Sequence, residues 1–527
     1  MNKILFEYGV ASGDPLSNRV IIWTHAKYEN LDTPTVVKYE VALDADFINI
    51  VLTSLFETNL EKDFTIKIDV EGLKANTYYY YRFYNPDDIT NSSTIGRTRT
   101  IPDVLSGVSS VSFAVASCAN YPQGYFNVYQ EIAQLKDINA VIFLGDYIYE
   151  YGLNGKDNEY GRPVSNSRIS EPKRECFTLD DYRKRHATYK SDTDLQYMNS
   201  LHPMISVWDD HEVADNAWEF GCLTQPPGPA YELRKADGLH AYHEWMPIRT
   251  FLDPRIIYRT FDFANILSLH MLDTRHYRRN EQIYLPSLLT QPEIYVPKLY
   301  SESRELLGKS QLDWLAQQME KSDKPWQVLG QQVIMANVQA PISIQTKLDP
   351  NNFDSVALFY SITEYLLALN TPEIQRTEKQ KALLNPLLNP VYAINLDDWG
   401  GYPAERERVF KLVKDLNKKL IVLSGDSHMS WYNNLVDSSG TFIGKEIGVT
   451  SVSSRGPDYD YDIPPEQFKN FYLKLFNDVK WIDTYRKGYS FITFTENDCK
   501  AEWRFIDKVD TMYYKQSKPT HIEVITK

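Results

Sequence analysis

Cysteine is scarce in this chain: Cys118, Cys176, Cys222 and Cys499 are its only four in 527 residues, and none lies in a CxxC pair. Single, widely spaced cysteines exclude a zinc knuckle and a dense disulfide scaffold. Long apolar runs are missing too, so no membrane span is expected. Met1 to Gly13 carries neither a secretory apolar stretch nor a twin arginine, and the expectation is an intracellular protein or an exported one already processed. Internal repeats and low-complexity tracts are absent. Positive charge is also short: the formal net charge is -14, which disfavours nucleic acid and anionic membrane as partners, and no specific nucleic-acid binding is expected. A phosphate-bearing ligand would need local cations. With 70 acidic residues and only 10 histidines, bound metal ions are the natural source of them.

What is present is an ordinary globular composition, 43% hydrophobic and 24% charged, with 37 tyrosines and 10 tryptophans that favour strand-rich packing. The length exceeds one core, so at least two domains are expected. From Tyr39 to Tyr84 short alternating strands follow one another, as in Val37 to Val41 and Phe64 to Ile68, separated by polar turns. The run Leu73 to Arg82 sets tyrosines at a strand start after a corner, similar to the tyrosine corner of fibronectin-type sandwiches. Pro, Gly and Ser cluster near Ile101 to Ser109, which places a β-sandwich over 1–105 and a second unit over 106–527. That second unit alternates apolar strands with helix-length segments: Val111 to Ala116, Gln130 to Leu135, Ala140 to Leu144, Met204 to Trp208 and Leu420 to Leu423. Such alternation predicts α/β layering. Tyr277 to Asp398 is expected to be scaffold plus insertion, with a helix over Lys309 to Lys321 and a strand over Trp326 to Leu329. Tyr489 to Phe494 and Lys500 to Ile506 form a hairpin pattern. The aromatic stretch Gln467 to Trp481 suits either core or a lid over the site.

Four strands end in clusters of polar or ionisable residues: Ala116-Ser117-Cys118, Gly145-Asp146-Tyr147-Ile148-Tyr149-Glu150, Trp208-Asp209-Asp210-His211-Glu212 and Gly425-Asp426-Ser427-His428. Layered α/β folds build sites at the C-terminal ends of strands. Gathered on one sheet edge, these segments supply a thiolate, a phenolate, carboxylates and imidazoles, a donor set suited to two unlike metals. Each residue alone has a structural explanation. Cys118 would be packing, Tyr149 a rim aromatic, and Asp209-Asp210 a turn or helix cap. Arg275 either holds a phosphate oxygen or pairs with a carboxylate. Arg249 and Arg406 are expected in salt bridges.

These motifs resemble those of the PhoD-like phosphatases, a family of calcineurin-like metallophosphoesterases related to purple acid phosphatases. The resemblance starts at Gly9-Val10-Ala11-Ser12-Gly13-Asp14-Pro15 and Trp23-Thr24. It continues through Phe143 to Glu150, Val207 to Glu212, Met246-Pro247-Ile248-Arg249, Leu272-Asp273-Thr274-Arg275, Gly401 to Arg406 and Ser424 to His428. It implies a four-layer α/β/β/α metallophosphoesterase domain behind the fibronectin-like sandwich. It also implies that Cys118, Asp146, Tyr149 and His428 bind Fe3+, with Asp146 bridging to a second metal. Asp210 and Asp426 stand where relatives carry nitrogen or amide donors, so the second site becomes oxygen-only and suits Ca2+, with Mg2+ or Mn2+ as alternatives. Asp209 and Asn216 are further members of that oxygen shell.

The implied activity is hydrolysis of phosphomonoesters, phosphodiesters or both, small or polymeric, by a metal-bound hydroxide, with His211 stabilising the transition state and protonating the leaving group. A narrower phosphodiesterase acting on lipid, polymer or nucleotide esters is the alternative within enzymes. A catalytically dead relative that binds a phosphorylated polymer is the alternative outside them. One departure from the family pattern is the lack of a histidine in Phe476 to Trp481, ahead of Gly488-Tyr489.

Overall fold

The computed structural model describes residues 2–153, 159–348, 353–461, 463–516 and 520–526. Strand Thr35–Ala42 turns Val37, Tyr39 and Val41 inward and pairs antiparallel with Ile50–Thr58 on one side and Tyr78–Asn85 on the other. Gly96–Arg99 and Asp88–Ser92 complete this five-stranded sheet. It packs on Val10–Gly13, Arg19–His25 and Thr65–Glu71 through Val20, Ile22, Ile66, Tyr79, Tyr81 and Phe83, forming the expected sandwich. The tyrosine corner is present, with the Lys74 N–H donating to Tyr79 Oη at 2.8 Å.

The inner layer of that sandwich does not end at its own edge. Gly13 pairs with Met204, and the Asp14 N–H donates to the Met204 carbonyl at 3.0 Å. A Cβ at Gly13 would lie 2.2 Å from the Pro247 carbonyl oxygen, so only glycine permits the junction. The result is one nine-stranded sheet, ordered His521–Thr526, Asp498–Ile506, Lys487–Thr495, Ser110–Ala116, Ala140–Phe143, Met204–Ser206, Val10–Gly13, Arg19–His25 and Thr65–Glu71. Two of the sequence motifs meet here. Asp14 accepts from the Arg249 N–H at 2.8 Å and from Arg259, while the Arg249 guanidinium forks onto Asp69 at 2.9 Å.

A second sheet of seven strands runs Arg259–Phe263, Leu267–Met271, Trp326–Gly330, Lys419–Ser424, Phe442–Gly448, Ser430–Val436 and Val479–Asp483. Its Leu269, Val328 and Ile421 share one core with Val115, Ile142 and Ile205 of the first sheet. Helices Asn127–Ala133, Leu179–Lys190, Thr193–Leu201 and Pro229–Trp245 pack through residues such as Ile132, Tyr182, Leu195 and Leu239 into that core. Helices Gly308–Lys321 and Pro403–Asp415 cover the far face of the second sheet through Leu315, Met319, Val409 and Phe410. This is the α/β/β/α layering that the resemblance implies.

Two expectations resolve on packing. The stretch read as core or lid is core: helix Pro465–Leu475 buries Phe468, Phe471 and Tyr472, each burial worth about 2 kcal/mol. The Phe476 to Trp481 departure lies on the same packed flank, and residues Arg455 to Pro457 wall the site instead. The insertion between 277 and 398 is not scaffold alone, because it delivers Asn395 and Asp397 to the site. Among the described residues, no helix is long and apolar enough to cross a membrane.

Candidate metal centre

Four buried strands, Ser110–Ala116, Ala140–Phe143, Met204–Ser206 and Lys419–Ser424, run out at one edge, and the loops that follow carry the site. Their backbone is bent hard. Cys118, Asp146, Asn216, Asp426 and His428 take positive φ angles of 58, 56, 52, 56 and 56°, a region that side chains other than glycine enter only when surroundings hold them. The hold is visible. Cys118 N–H donates to the Gly145 carbonyl at 3.1 Å and Ala119 N–H to that of Asp146 at 2.9 Å. The Glu212 carboxylate accepts the N–H groups of Asp146, Tyr147 and Asp209 at 3.2, 2.6 and 2.7 Å, clamping two loops together. Gly145 has φ of +108°, and a Cβ there would lie 2.4 Å from the Asp209 Cβ.

Donor atoms of Cys118, Asp146 and His428 lie within 4.8 Å of one another. Tyr149 closes this group, its Oη donating to Asp146 Oδ2 at 2.9 Å, lying 3.1 Å from His428 Nε2 and accepting from Ser454 Oγ at 2.7 Å. His428 Nδ1 donates to the Arg455 carbonyl, which leaves the Nε2 lone pair facing the cluster. Burial, with the Lys487 cation, lowers His428 to about 3, so the ring is neutral. Burial and the Asp146 carboxylate push the Cys118 thiol and the Tyr149 phenol well up, so these two become anionic donors only beside a strong cation.

Two more groups adjoin the first: Asp146 with Asp210 and His211, and Asp209 with Asp210 and Asp426. Asp146 is thus common to two clusters. Asp146 Oδ1, Asp209 Oδ2 and Asp210 Oδ1 are buried and accept no hydrogen bond. Buried carboxylate oxygens without donors are costly, and their convergence fits cations. Asn216 braces this side, its N–H donating to Asp210 Oδ2 at 2.6 Å and its amide to Asp215 Oδ1 at 3.1 Å.

Arg275, expected either to hold a phosphate oxygen or to pair with a carboxylate, pairs with carboxylates. It is fully buried, donating through Nε to Asp209, through Nη1 to Asp397 at 2.6 Å and through Nη2 to Asp426 at 2.7 Å, with Asp210 at 3.7 Å. Its fork is taken up by the carboxylates of Asp209, Asp397 and Asp426, whose charge it offsets. Asp209 faces this guanidinium as well. His211 does face the cavity, with Nδ1 held 2.8 Å from Glu150 Oε2. Glu150 in turn accepts the Asp215 N–H at 2.7 Å.

The cavity above the clusters measures about 390 Å³ and is walled by Tyr151, Tyr160, Asp215, Asn395, Asp397 and Arg455 in addition to the donors. Sequence inspection gave no role to these residues, nor to Glu150, Glu212 or Ser454. Ser454 and Arg455 follow strand Phe442–Gly448, and the strand-end cue that exposed the other loops applies to them. Asn395 and Asp397 likewise follow strand Val391–Ala393, and the same cue applies to them.

The family described as PhoD-like phosphatase matches residues 113–503, and its N-terminal domain matches residues 2–102. Alkaline phosphatase D of Bacillus subtilis (strain 168) is 34% identical over 516 residues, covering 95% of this chain and 77% of that protein. Among solved structures, one described as PhoD superposes with a TM-score of 0.77 at 30% identity, over 99% of this chain and 90% of that one. The purple acid phosphatase PPD1 of yellow lupin (Lupinus luteus) seeds shares the fold at 10% identity, with a TM-score of 0.55 over 100% of this chain and 74% of that one. The chain therefore belongs to the PhoD-like phosphatase family and is a phosphoric ester hydrolase.

Proposed function

We propose that the chain hydrolyses phosphate esters at a dinuclear centre. Cys118, Asp146, Tyr149 and His428 hold Fe3+. Asp146, Asp210 and Asp426, joined by Asp209 and Asn216, hold Ca2+ or, failing it, Mg2+ or Mn2+. The observation that carries this is Asp146, shared by two donor clusters of unlike chemistry and left with one buried oxygen unpaired. Soft and phenolic donors on one side suit a trivalent ion, and oxygen donors on the other suit a hard divalent one. Bound there, such ions supply Lewis acidity to the phosphoryl oxygens and acidify the attacking water.

The protein's own residues do the rest. His428 is fixed in one tautomer by the Arg455 carbonyl, and Glu212 sets the positions of the Asp146 and Asp209 loops. Arg275 links Asp209 to Asp426 and offsets their repulsion. His211 presents Nε2 to the cavity because Glu150 occupies Nδ1, and it delivers a proton to the departing oxygen. Arg455, on the cavity wall, offers a cation to a non-bridging phosphoryl oxygen. A pocket of this size admits monoesters and diesters alike.

The test is hydrolysis of p-nitrophenyl phosphate and bis-p-nitrophenyl phosphate with and without added Ca2+, paired with visible absorption of the iron-loaded protein. Ca2+-stimulated turnover and a charge-transfer band that shifts or weakens in Tyr149→Phe are expected. A colourless, fully active protein would refute the ferric assignment.

A further inference from the structure

We propose that Tyr151 and Tyr160 form the wall along which the leaving group departs, and that they select esters whose leaving group carries a planar ring. This rests on the phosphoesterase function proposed above and names the substrate class of the same site. The starting point is His211. Its Nδ1 is taken by Glu150, so only Nε2 can pass a proton into the cavity, and the leaving oxygen must lie there. The ring itself is gripped by two tyrosines, Tyr149 at 4.3 Å between centroids and Tyr151 at 5.0 Å. Whatever is bonded to the leaving oxygen therefore extends beside Tyr151.

Tyr160 continues that surface. Its ring lies 5.5 Å from that of Tyr151 with planes 26° apart, while Tyr149 and Tyr151 lie 6.4 Å apart at 25°. The Tyr160 ring also lies 6.4 Å from that of His428, so Tyr151 and Tyr160 together line the cavity from the His211 side to the His428 side. No gap wide enough for an inserted ring exists between Tyr151 and Tyr160, so a ligand stacks on their cavity-facing surface. Flat aromatic surface favours a planar ring over a polyol or an extended chain.

The experiment compares kcat/KM for phenyl phosphate and glycerol phosphate in the metal-loaded full chain, for the wild type, Tyr160→Ala, Tyr160→Leu, Tyr160→Phe and Tyr151→Ala. Each variant's aryl-to-alkyl ratio is divided by the wild-type ratio, which cancels the intrinsic reactivity of the two esters. The wall predicts that the ratio falls about tenfold in Tyr160→Ala and Tyr160→Leu, mainly through KM for the aryl ester, and returns in Tyr160→Phe. An unchanged ratio in Tyr160→Ala and Tyr151→Ala, or an equal loss on both esters, would overturn it. A metal-loaded wild type that hydrolyses neither ester would instead overturn the phosphoesterase function on which the wall depends.

Discussion

Glu150 Oε2 accepts the Nδ1 proton of His211 at 2.8 Å, deep beside the acidic cluster. Burial alone would lower this imidazole, but Asp210, Glu150 and Asp146 outweigh it and hold the ring well above its ordinary value. With Nδ1 fixed by Glu150, Nε2 is the nitrogen placed to donate, and the demand for a donor rises with the basicity of the leaving oxygen. His211→Ala is expected to slow hydrolysis of alkyl esters by about 100-fold to 10,000-fold. Its effect on p-nitrophenyl phosphate should be much smaller, since that leaving group needs little protonation. A plot of kcat against leaving-group basicity checks this; a parallel loss on all esters would mean that His211 does not deliver the proton.

Arg275 sits among Asp209, Asp210, Asp397 and Asp426 with no exposure to solvent. Removing it strands buried carboxylates, at a cost of about 3 to 5 kcal/mol in the metal-free protein. Arg275→Ala should therefore lower the melting temperature sharply, and Ca2+ should recover part of the loss by neutralising the same oxygens. Calorimetry with and without Ca2+ measures it. A stable variant whose main defect is a raised KM would return Arg275 to the role of phosphate ligand.

The site's loops were legible in the sequence because each breaks an apolar strand with ionisable residues, and Cys118, Asp146, Tyr149, Asp210, His211, Asp426 and His428 do converge. The remainder depends on contacts between distant segments. Asp397 arrives from the insertion and reaches Arg275 and Arg279 across more than a hundred residues of chain. Nothing local distinguishes an arginine that will meet four carboxylates from one that will meet a substrate. Val10–Gly13 is four residues long, too short to announce that it extends the second unit's sheet through Met204. Aromatic spacing alone left Gln467 to Trp481 open, and the burial of Phe468 and Phe471 decided it.

Several histidines away from the metal-binding loops are buried as neutral rings, among them His25, His202 and His243. Burial, helped by Lys27, Arg97 and Lys67 respectively, lowers His25 to about 3 and His202 and His243 to about 4. Above about pH 6.5 neither the folded nor the unfolded chain protonates them. Below it the unfolded chain takes up protons that the fold refuses, so stability falls until the folded values are reached. Each histidine contributes a slope of about 1.4 kcal/mol per pH unit across that window. His25→Phe keeps a ring stacked on Trp245 but cannot titrate, so its melting temperature should fall less between pH 6.5 and 4 than the wild type's. Identical slopes would contradict the neutral burial of His25.

Gly145 is the point where the Asp146 loop passes Asp209. At a φ of +108° and with a Cβ 2.4 Å from that of Asp209, alanine cannot be accommodated without moving one loop. Gly145→Ala should lose at least about 2 kcal/mol of stability and lower metal affinity together. Thermal unfolding and metal titration check both, and normal metal binding in a stable variant would show that the loop spacing does not set the centre.

Asp146 is common to both donor clusters, and the proposed dinuclear centre depends on it. Elemental analysis of purified wild type and Asp146→Asn, each passed over a desalting column after loading with iron and Ca2+, tests it most directly. The wild type should retain close to one iron and one divalent ion per chain, and the variant, still folded by circular dichroism, should lose both along with turnover. Full retention of both ions by Asp146→Asn, or a wild type that holds only a single kind of metal, would contradict a shared carboxylate at the centre of this site.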